Sequence, residues 1–545
     1  MPKINILVAL FTTLFICSCV DDESTLPAPS TSNDNSYSPV TVKAMMDEQQ
    51  KKIISLFYEG ADPTTGMAYN NPKYKETLTT GASGMGVMCI VAGVERGWID
   101  RAAGAEHIAK MTRFLKKATR FEGAWSHWYY TNGAPYPFGN QVAAGEIVET
   151  AFMMGGLLTA CEYFTGNSDA EKEIRENTQY FWETINWKKF IKGDKLYWIW
   201  HSDKVGQNNE LELQMIGWNE CLLIYILGMA APDHLKIPQS IYSTSWKGWN
   251  FATPSRKTYG YLMPLGTEYG GSLFLSQYSF LGLDPRLMED NDVYYWTQNV
   301  SHTMINRHYC IFEAPAEYNY SELNWGLTAC GGCGSNSDYK GRRPFQDDDG
   351  VIAPTASISA YPFTPFYSTQ VMFNMSKNFP NLNGEYGFSI SYSPSEKSVG
   401  TDYLAMEHAP MAIMIENYRT GLIWNLLMKN EYVQKGLQLA GMKSQPNYQP
   451  GFYLAMINTA TEVYDMMRHP DSENYEINFY TTNAGNGTLK ISNMMNEIVF
   501  DTRVDLTAGT NTISFFNNSI LRGKKYTLSV SDAANKTYSI PVILR

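Results

Sequence analysis

The sequence predicts a mainly α protein, an (α/α)6 toroid followed by a small C-terminal immunoglobulin-like β-sandwich. Apolar residues recur at three-to-four spacing through most of residues 42–470, as in amphipathic helices. These helices do not alternate with strands as in a parallel sheet, and no fixed sequence period indicates a solenoid. About a dozen helices therefore fit a closed double ring of six inner and six outer helices. From residue 474 to 545 the pattern changes to short alternating strands, which favours a sandwich.

The N-terminal segment resembles a lipoprotein signal. The apolar run from Ile4 to Ile16 is too short to span a bilayer stably, and the following Cys17-Ser18-Cys19 resembles the end of a lipobox. We expect residues 1–19 to be a signal peptide, Cys19 to be lipidated, and residues 20–41 to be a disordered tether. The chain is then an outer-membrane lipoprotein, at the cell surface or facing the periplasm, which the lipid anchors without spanning the membrane. A plain cleaved signal peptide is the alternative.

The helices are predicted where the apolar spacing is clearest, and Gly, Asn and Pro residues end them. The predicted segments are Ala44–Tyr58, Ala82–Glu95, Ala102–Ala118, Gly145–Phe164, Asp169–Thr184, Glu210–Ala230, Gly271–Leu281, Tyr294–Arg307, Thr355–Phe373, Met411–Asn430 and Phe452–Met467.

The C-terminal strands are predicted from alternation of apolar and polar residues between turn-rich breaks. The predicted strands are Tyr475–Tyr480, Thr488–Ser492, Glu497–Asp501, Thr512–Phe516, Lys525–Val530 and Thr537–Leu544.

Composition excludes several classes of function. The net charge of −11 argues against a nucleic-acid partner, which requires a basic surface. No phosphate loop or dinucleotide fingerprint is present, so no cofactor is expected. Cys330-Gly-Gly-Cys333 is read as a short disulfide loop or half of a metal site; because no second Cys/His pair has zinc spacing, we expect no metal and favour a structural role.

Several carboxylates are placed where chemistry could use them. Glu146 and Glu149 lie three residues apart and share a helical face, so they either suit the dipole of a helix start or line a cleft. Glu220 lies in apolar sequence, and burial would raise its pKa as a general acid requires, although a Glu bonded to a backbone amide is an alternative. Asp349 and Glu407 complete the candidate acids for glycosidic cleavage, which needs one proton donor and one carboxylate.

Aromatic and polar loops precede several of these acids and match the needs of a sugar, which binds through ring faces and hydroxyl groups. Filling of the core at helix ends is the alternative for each ring. Arg419 is a further candidate, unless it only pairs with Glu416. The predicted substrate-binding residues are Glu146, Trp125, His127, Trp198, Trp200, Trp218, Tyr269, Trp325, Asp349 and Arg419.

Residues of about 45–468 are similar to the bacterial glycoamylase-domain family, which includes the β-1,2-glucanases of glycoside hydrolase family 144. The matching stretches, in chain order, are Glu95-Arg-Gly-Trp98, Gly145-Glu-Ile-Val-Glu-Thr-Ala-Phe152, Trp218-Asn-Glu220, Tyr269-Gly-Gly271, Tyr278-Ser-Phe-Leu-Gly-Leu-Asp-Pro285, Asn306-Arg-His-Tyr-Cys310, Trp325-Gly-Leu-Thr-Ala329, Ile352-Ala-Pro-Thr-Ala356, Pro362-Phe-Thr-Pro365 and Met414-Ile-Glu-Asn-Tyr-Arg-Thr-Gly-Leu-Ile-Trp424.

The resemblance implies an (α/α)6 barrel that hydrolyses a β-glucan, β-1,2-glucan or a derived oligosaccharide, with inversion. It implies Glu220 as the general acid and Glu407 or Glu149 on the base side. The chain departs from the family at four places. Val142, Glu146 and Glu407 stand where relatives usually have Asp, and Cys330-Gly-Gly-Cys333 replaces a loop that carries an acid.

The same residues leave two other functions open. One is a glycan-binding surface lipoprotein that has lost catalysis, and the other is a polysaccharide lyase, which such toroids also host. In each case we expect a monomer that contacts a poly- or oligosaccharide.

Overall fold

A computed structural model describes residues 39–137, 144–249, 251–443, 451–453, 457–458, 463–466, 474–516 and 524–544. The predicted signal peptide, Cys19, nearly all of the tether and Val142 lie outside these residues. Within the described part of the chain, no helix combines the length and apolar character that crossing a bilayer requires.

The described helices lie between residues 39 and 439. They are α1 Pro39–Tyr58, α2 Thr80–Glu95, α3 Arg101–Lys117, α4 Ile147–Tyr163, α5 Asp169–Trp182, α6 Leu222–Ala230, α7 Gln239–Ile241, α8 Tyr295–His308, α9 Pro354–Ile358, α10 Pro365–Asn378, α11 Ala405–Thr420, α12 Leu422–Lys429 and α13 Glu431–Leu439.

Most of the predicted helices are present. The exceptions have local causes. Only the second half of Glu210–Ala230 is helical, because a strand precedes it, and Gly271–Leu281 forms two short 3-10 turns. Thr355–Phe373 is divided in two: Pro365 occupies the first turn of the second helix, where its missing N–H removes no bond.

Helices α2 and α4 pack at very close range because glycines face each other. A Cβ on Gly84 would lie 2.3 Å from Met153 Cα, and one on Gly156 would lie 1.9 Å from the Gly84 carbonyl oxygen. A side chain at either position would force the helices apart. Both helices are buried over nearly their whole length, so they form the centre of the helical core.

Short strands join the helices and were not predicted. A four-stranded sheet places β4 before helix α4, and its strand β6 carries Trp198 and Trp200. The strands of this part are β1 Leu78–Thr79, β2 Trp128–Tyr129, β3 Pro135–Tyr136, β4 Ala144–Glu146, β5 Ile191–Lys192, β6 Lys195–His201, β7 Leu211–Met215, β8 Lys257–Thr258, β9 Tyr261–Leu262, β10 Ala329–Cys330, β11 Lys340–Gly341, β12 Asn383–Gly384, β13 Gly387–Phe388, β14 Tyr392–Ser393 and β15 Ser398–Val399.

The C-terminal part forms a three-stranded sheet, β16-β19-β22, and a six-stranded sheet, β17-β18-β24-β23-β20-β21. Buried residues of both sheets form one hydrophobic cluster, separate from the helical core. The strands are β16 Gly451–Tyr453, β17 Ile457–Asn458, β18 Val463–Met466, β19 Tyr475–Thr481, β20 Gly485–Ser492, β21 Ile498–Leu506, β22 Gly509–Phe515, β23 Lys525–Ser531 and β24 Thr537–Leu544.

All six predicted strands are present, but the helix predicted over Phe452–Met467 is wrong. Strand β16 pairs with β19 and β18 pairs with β24, so these residues belong to the sheets. The sheets therefore begin at Gly451, ahead of the predicted boundary at residue 474. Tertiary pairing decided the outcome, because a short apolar run does not distinguish a strand from a helix.

Candidate active site

The first turns of three helices meet around Gly81, near the start of α2. A Cβ on Gly81 would lie 2.5 Å from the Glu149 carboxylate and 3.2 Å from Met406 Cε. Glu149 lies in the first turn of α4 and Glu407, which follows Met406, in the first turn of α11. Helix N-termini stabilise negative charge, so this junction suits carboxylates.

Glu149 and Glu146 are both buried and are joined by His127. Glu149 Oε2 accepts a hydrogen bond of 2.7 Å from the Gly81 N–H. Glu146 Oε2 lies 2.8 Å from His127 Nδ1 and accepts a bond of 3.0 Å from Trp198 Nε1. His127 Nδ1 is also 3.7 Å from Glu149 Oε1. The two acids that share a helical face in the sequence are therefore neighbours of one imidazole.

This trio has a defined charge balance. Burial alone lowers the pKa of His127, but the charges of Glu149 and Glu146 outweigh it and raise the pKa to about 9. Burial raises the pKa of Glu149, and the His127 charge partly offsets that rise. The ligand atoms of the three residues lie within 4.8 Å of one another, which is the spacing of a metal site, but the raised pKa of His127 favours a charged imidazolium over a neutral metal ligand.

Glu220 lies in the turn that leads into α6, directly before the apolar run that begins at Cys221. Burial raises its pKa to about 7. The Glu220 carbonyl accepts a hydrogen bond from the Ser279 hydroxyl, which holds this turn against the 3-10 segment that follows Tyr278. A carboxyl group with this pKa is partly protonated at neutral pH and can donate a proton.

Glu407 is buried, and its carboxylate lies beside the Tyr339 hydroxyl. Burial raises its pKa well above the usual value, while the Arg342 charge and the Tyr339 hydroxyl act to lower it. The charge of Glu407 in turn raises the pKa of Tyr339. The predicted acid thus lies beside a tyrosine and an arginine that the sequence analysis did not single out.

Tyr278 shows that the three predicted catalytic acids converge. Burial raises the pKa of its hydroxyl well above the usual value, and the charges of Tyr339, Glu407, Glu220 and Glu149 add to that rise. These four groups come from α4, α11, the turn before α6 and one loop, yet each acts on the same hydroxyl. Tyr278 itself packs against Phe152 of α4 with ring centroids 6.0 Å apart.

Asp349 has a different role from the one predicted, because it holds the loop that carries Tyr339. Its carboxylate pairs with Arg342 Nε at 2.6 Å and with Lys340 Nζ at 2.8 Å, and these partners lower its pKa against the effect of burial. Arg342 is fully buried and also donates to the Cys330 carbonyl at 2.8 Å. Cys330 and Cys333 are both free thiols, so the ion pair, and not a disulfide, fastens this loop.

Four of the predicted sugar-binding rings lie in the core, so the prediction is wrong for them. Trp125 and Trp325 have no exposed surface, and Trp200 and Trp218 are 6% and 9% exposed. A ring can stack on a sugar only through an exposed face. Of the predicted rings, Trp198 and Tyr269 are partly exposed.

Arg419 does not belong to the cleft either. It pairs with Asp47 at 2.7 Å and donates to Gln50, both on α1. Glu416 does not pair with it but binds Arg96 of α2. Arg419 lies in the last turn of α11 and Glu407 in the first, on the order of 18 Å apart along the helix. The length of helix α11 thus separates the two predicted residues.

Comparison with known proteins identifies the family. The Glycoamylase family model, described as "Putative glucoamylase", matches residues 212–431. The endo-β-1,2-glucanase from Chitinophaga pinensis, solved with sophorotriose and glucose, is 37% identical with a TM-score of 0.69 over 74% of this chain and 99% of that one. The chain belongs to the Glycoamylase family.

A curated member is similar over a shorter share of its length. The exo β-1,2-glucooligosaccharide sophorohydrolase (non-reducing end) of Parabacteroides distasonis is 36% identical over 440 residues, which is 75% of this chain and 60% of that protein. An endo-β-1,2-glucanase from Talaromyces funiculosus, solved with β-1,2-glucan, has the same fold with a TM-score of 0.53 at 11% identity.

Proposed function

We propose that this chain is a glycoside hydrolase that cleaves β-1,2-glucan, or oligosaccharides derived from it, by inverting acid–base hydrolysis. The observation that carries the proposal is the convergence of Glu149, Glu220 and Glu407 on Tyr278. Inverting cleavage needs a protonated carboxyl group on one side of the glycosidic bond and a carboxylate that activates water on the other. The substrate is the one on which the similar enzymes described above act.

Glu220 supplies the proton in this scheme. Its pKa of about 7 keeps it partly protonated at neutral pH, so it donates to the glycosidic oxygen as the bond to the anomeric carbon breaks. A water molecule attacks the anomeric carbon from the opposite face and gives its proton to the base. Glu407 suits the base because no backbone N–H of the described residues donates to its oxygens, whereas the Gly81 N–H donates to one oxygen of Glu149.

The test separates the acid from the base. Glu220→Gln should lose activity on β-1,2-glucan but keep much of it on an aryl glycoside, whose leaving group needs no proton. Glu407→Gln should lose activity on both substrates, because water is still needed, and Glu149→Gln distinguishes the second candidate base. If the folded wild-type protein releases no sugar from β-1,2-glucan or from a glycan panel, the hydrolase proposal is wrong.

One observation favours a second function, a non-catalytic glycan-binding protein on the same fold. Burial raises the pKa of both candidate bases, which opposes the charged form that activation of water requires. Retardation of the protein in a gel that contains β-1,2-glucan, with the glucan intact after long incubation, is the result expected of such a protein. Unsaturated products that absorb ultraviolet light would instead indicate a lyase.

We also propose the arrangement around this site. The helices form the (α/α)6 toroid, and the two C-terminal sheets form an immunoglobulin-like β-sandwich; the shared apolar cluster of the sheets supports the latter. The chain is exported and anchored by a lipid at Cys19, as the lipobox-like sequence suggests, and acts as a monomer. Labelling of Cys19 with a lipid precursor, abolished in Cys19→Ala, tests the anchor.

A further inference from the structure

A second aromatic surface lies outside the acid site, and the mechanism above does not use it. Five rings follow one another in contact, and we call them the aromatic ledge: Phe312, His308, Tyr259, Tyr269 and Phe345. The ring centroids are 4.7 Å apart between Phe312 and His308, 3.9 Å between His308 and Tyr259, 5.9 Å between Tyr259 and Tyr269, and 4.7 Å between Tyr269 and Phe345.

The ledge is open to solvent. Phe312 is 63% exposed and Phe345 is 51% exposed, and the three rings between them are partly exposed. Large aromatic rings that serve only packing are usually buried in a core, so a run of exposed rings is unusual. A contiguous exposed apolar strip is typical of a binding surface.

The backbone is held in an unfavourable conformation to present these rings. Tyr259 has a φ of +51° and Phe345 a φ of +62°, in the left-handed region that bulky residues rarely adopt. Such conformations persist only where the surrounding structure enforces them, and they are concentrated at functional sites. For Phe345 the enforcing contacts are the ring of Tyr309, at 4.8 Å, and the bond of 2.9 Å from the Tyr309 hydroxyl to Asp348.

The ledge is continuous in the chain with the acid site. The loop that presents Phe345 also carries Tyr339, whose pKa the charge of Glu407 raises. Between them, Arg342 fastens the loop to Asp349, and Ser272, just after Tyr269, donates to the Arg342 carbonyl at 3.0 Å. One braced unit therefore joins the neighbourhood of Glu407, the proposed base, to the exposed rings.

We propose that the aromatic ledge is a binding surface for sugar rings of a long β-glucan chain, beyond the residues held at the acids. The chemistry favours a neutral glycan, because the flat faces of the rings match the apolar faces of pyranose rings. The partly exposed Tyr269 and His308 bring hydrogen-bonding groups beside the ring faces. Burial lowers the pKa of His308, which disfavours the charged form of this ring. The inference rests on the proposed function for its ligand.

The experiment compares long and short substrates in the full chain. Phe345→Ala and Phe312→Ala should each raise the ratio of KM for polymeric β-1,2-glucan to KM for its trisaccharide by about tenfold, the effect of losing one aromatic contact of roughly 1.4 kcal/mol. Phe516→Ala removes an equivalent ring, 46% exposed, from the C-terminal sheets and is the matched control, with an unchanged ratio. Unchanged ratios in both ledge variants, with circular dichroism of the folded protein preserved, would overturn the inference.

Binding without turnover keeps this test independent of catalysis. In a gel that contains β-1,2-glucan polymer, the wild-type protein and Phe516→Ala should be retarded, and Phe345→Ala should migrate more freely. If no sugar is released but this difference is seen, the ledge stands while the hydrolase proposal fails. If sugar is released and the ledge variants are retarded like the wild-type protein, the hydrolase stands and the ledge is wrong.

Discussion

Substitution of Glu220 by Gln is the sharpest test of the proposed acid. At pH 7 a carboxyl group with a pKa of about 7 is about half protonated, whereas one at the ordinary value of 4.5 would be protonated in only about 0.3% of molecules. Burial therefore increases the competent fraction by on the order of a hundredfold. The isosteric amide keeps the shape of the side chain but cannot donate an acidic proton, so we expect kcat on β-1,2-glucan to fall by about 10²- to 10⁴-fold.

The assay is a pH profile of kcat with β-1,2-glucan and with an aryl glycoside. A general acid works in its protonated form, so wild-type activity should be present below the pKa of Glu220 and decline as the pH rises through about 7. That decline should be absent for the aryl glycoside and in Glu220→Gln. Glu212→Gln is the control, since Glu212 pairs with Lys204 on the neighbouring sheet. Equal losses on both substrates, or an unchanged pH profile in Glu220→Gln, would refute the assignment.

Three further predictions concern the structure that holds the acids. Gly84→Ala should lower the free energy of unfolding by about 3 kcal/mol, because its Cβ would lie 2.4 Å from the Phe152 carbonyl oxygen; a urea titration measures this, with Gly341→Ala, which has open space, as the control. Arg342→Met leaves Asp349 paired with Lys340 alone and should lower the free energy of unfolding by about 3 kcal/mol. The double variant Arg342→Met/Asp349→Asn should recover part of that loss. Equal losses in the single and double variants would contradict the reasoning. The pKa of His127 is raised from 6.5 to about 9 in the folded protein, so the stability that its charge contributes is complete below pH 6.5 and is lost as the pH rises through 9. The difference in unfolding free energy between the wild-type protein and His127→Gln should therefore shrink across that window. A constant difference would exclude the imidazolium.

The sequence predicts the helices better than the connections between them. Helix α5 illustrates a reliable case, because Ser168 caps its first turn and its apolar residues keep a clear spacing. Strands β4 to β7 were missed, because segments this short pair with distant residues and have too few positions to show alternation. The helix predicted over Phe452–Met467 failed for the same reason.

The structure brings the predicted catalytic acids together, whereas it buries four of the predicted rings. Glu149 and Glu407 occupy the first turns of helices that are largely apolar over their following turns, and that combination is visible in the sequence. Trp125 and Trp325 have the same composition around them as a sugar-binding ring, but burial depends on tertiary packing, which the sequence does not reveal. Tyr339 and Arg342 follow the Cys330–Cys333 loop, and nothing in their local sequence indicates that they lie beside a candidate catalytic residue.

The charge of the site limits how catalysis can begin. The His127 imidazolium faces Glu146 and Glu149, Glu220 has a pKa of about 7, and Arg342, whose charge acts on Glu407, is also paired with Asp349. Burial raises the pKa of Glu407 well above its usual value, because a buried charge is costly. Hydroxyl groups that donate to Glu407 would favour its charged form. The sugar hydroxyl groups of the proposed substrate are donors of this kind, so substrate binding would favour the charged form that the base requires.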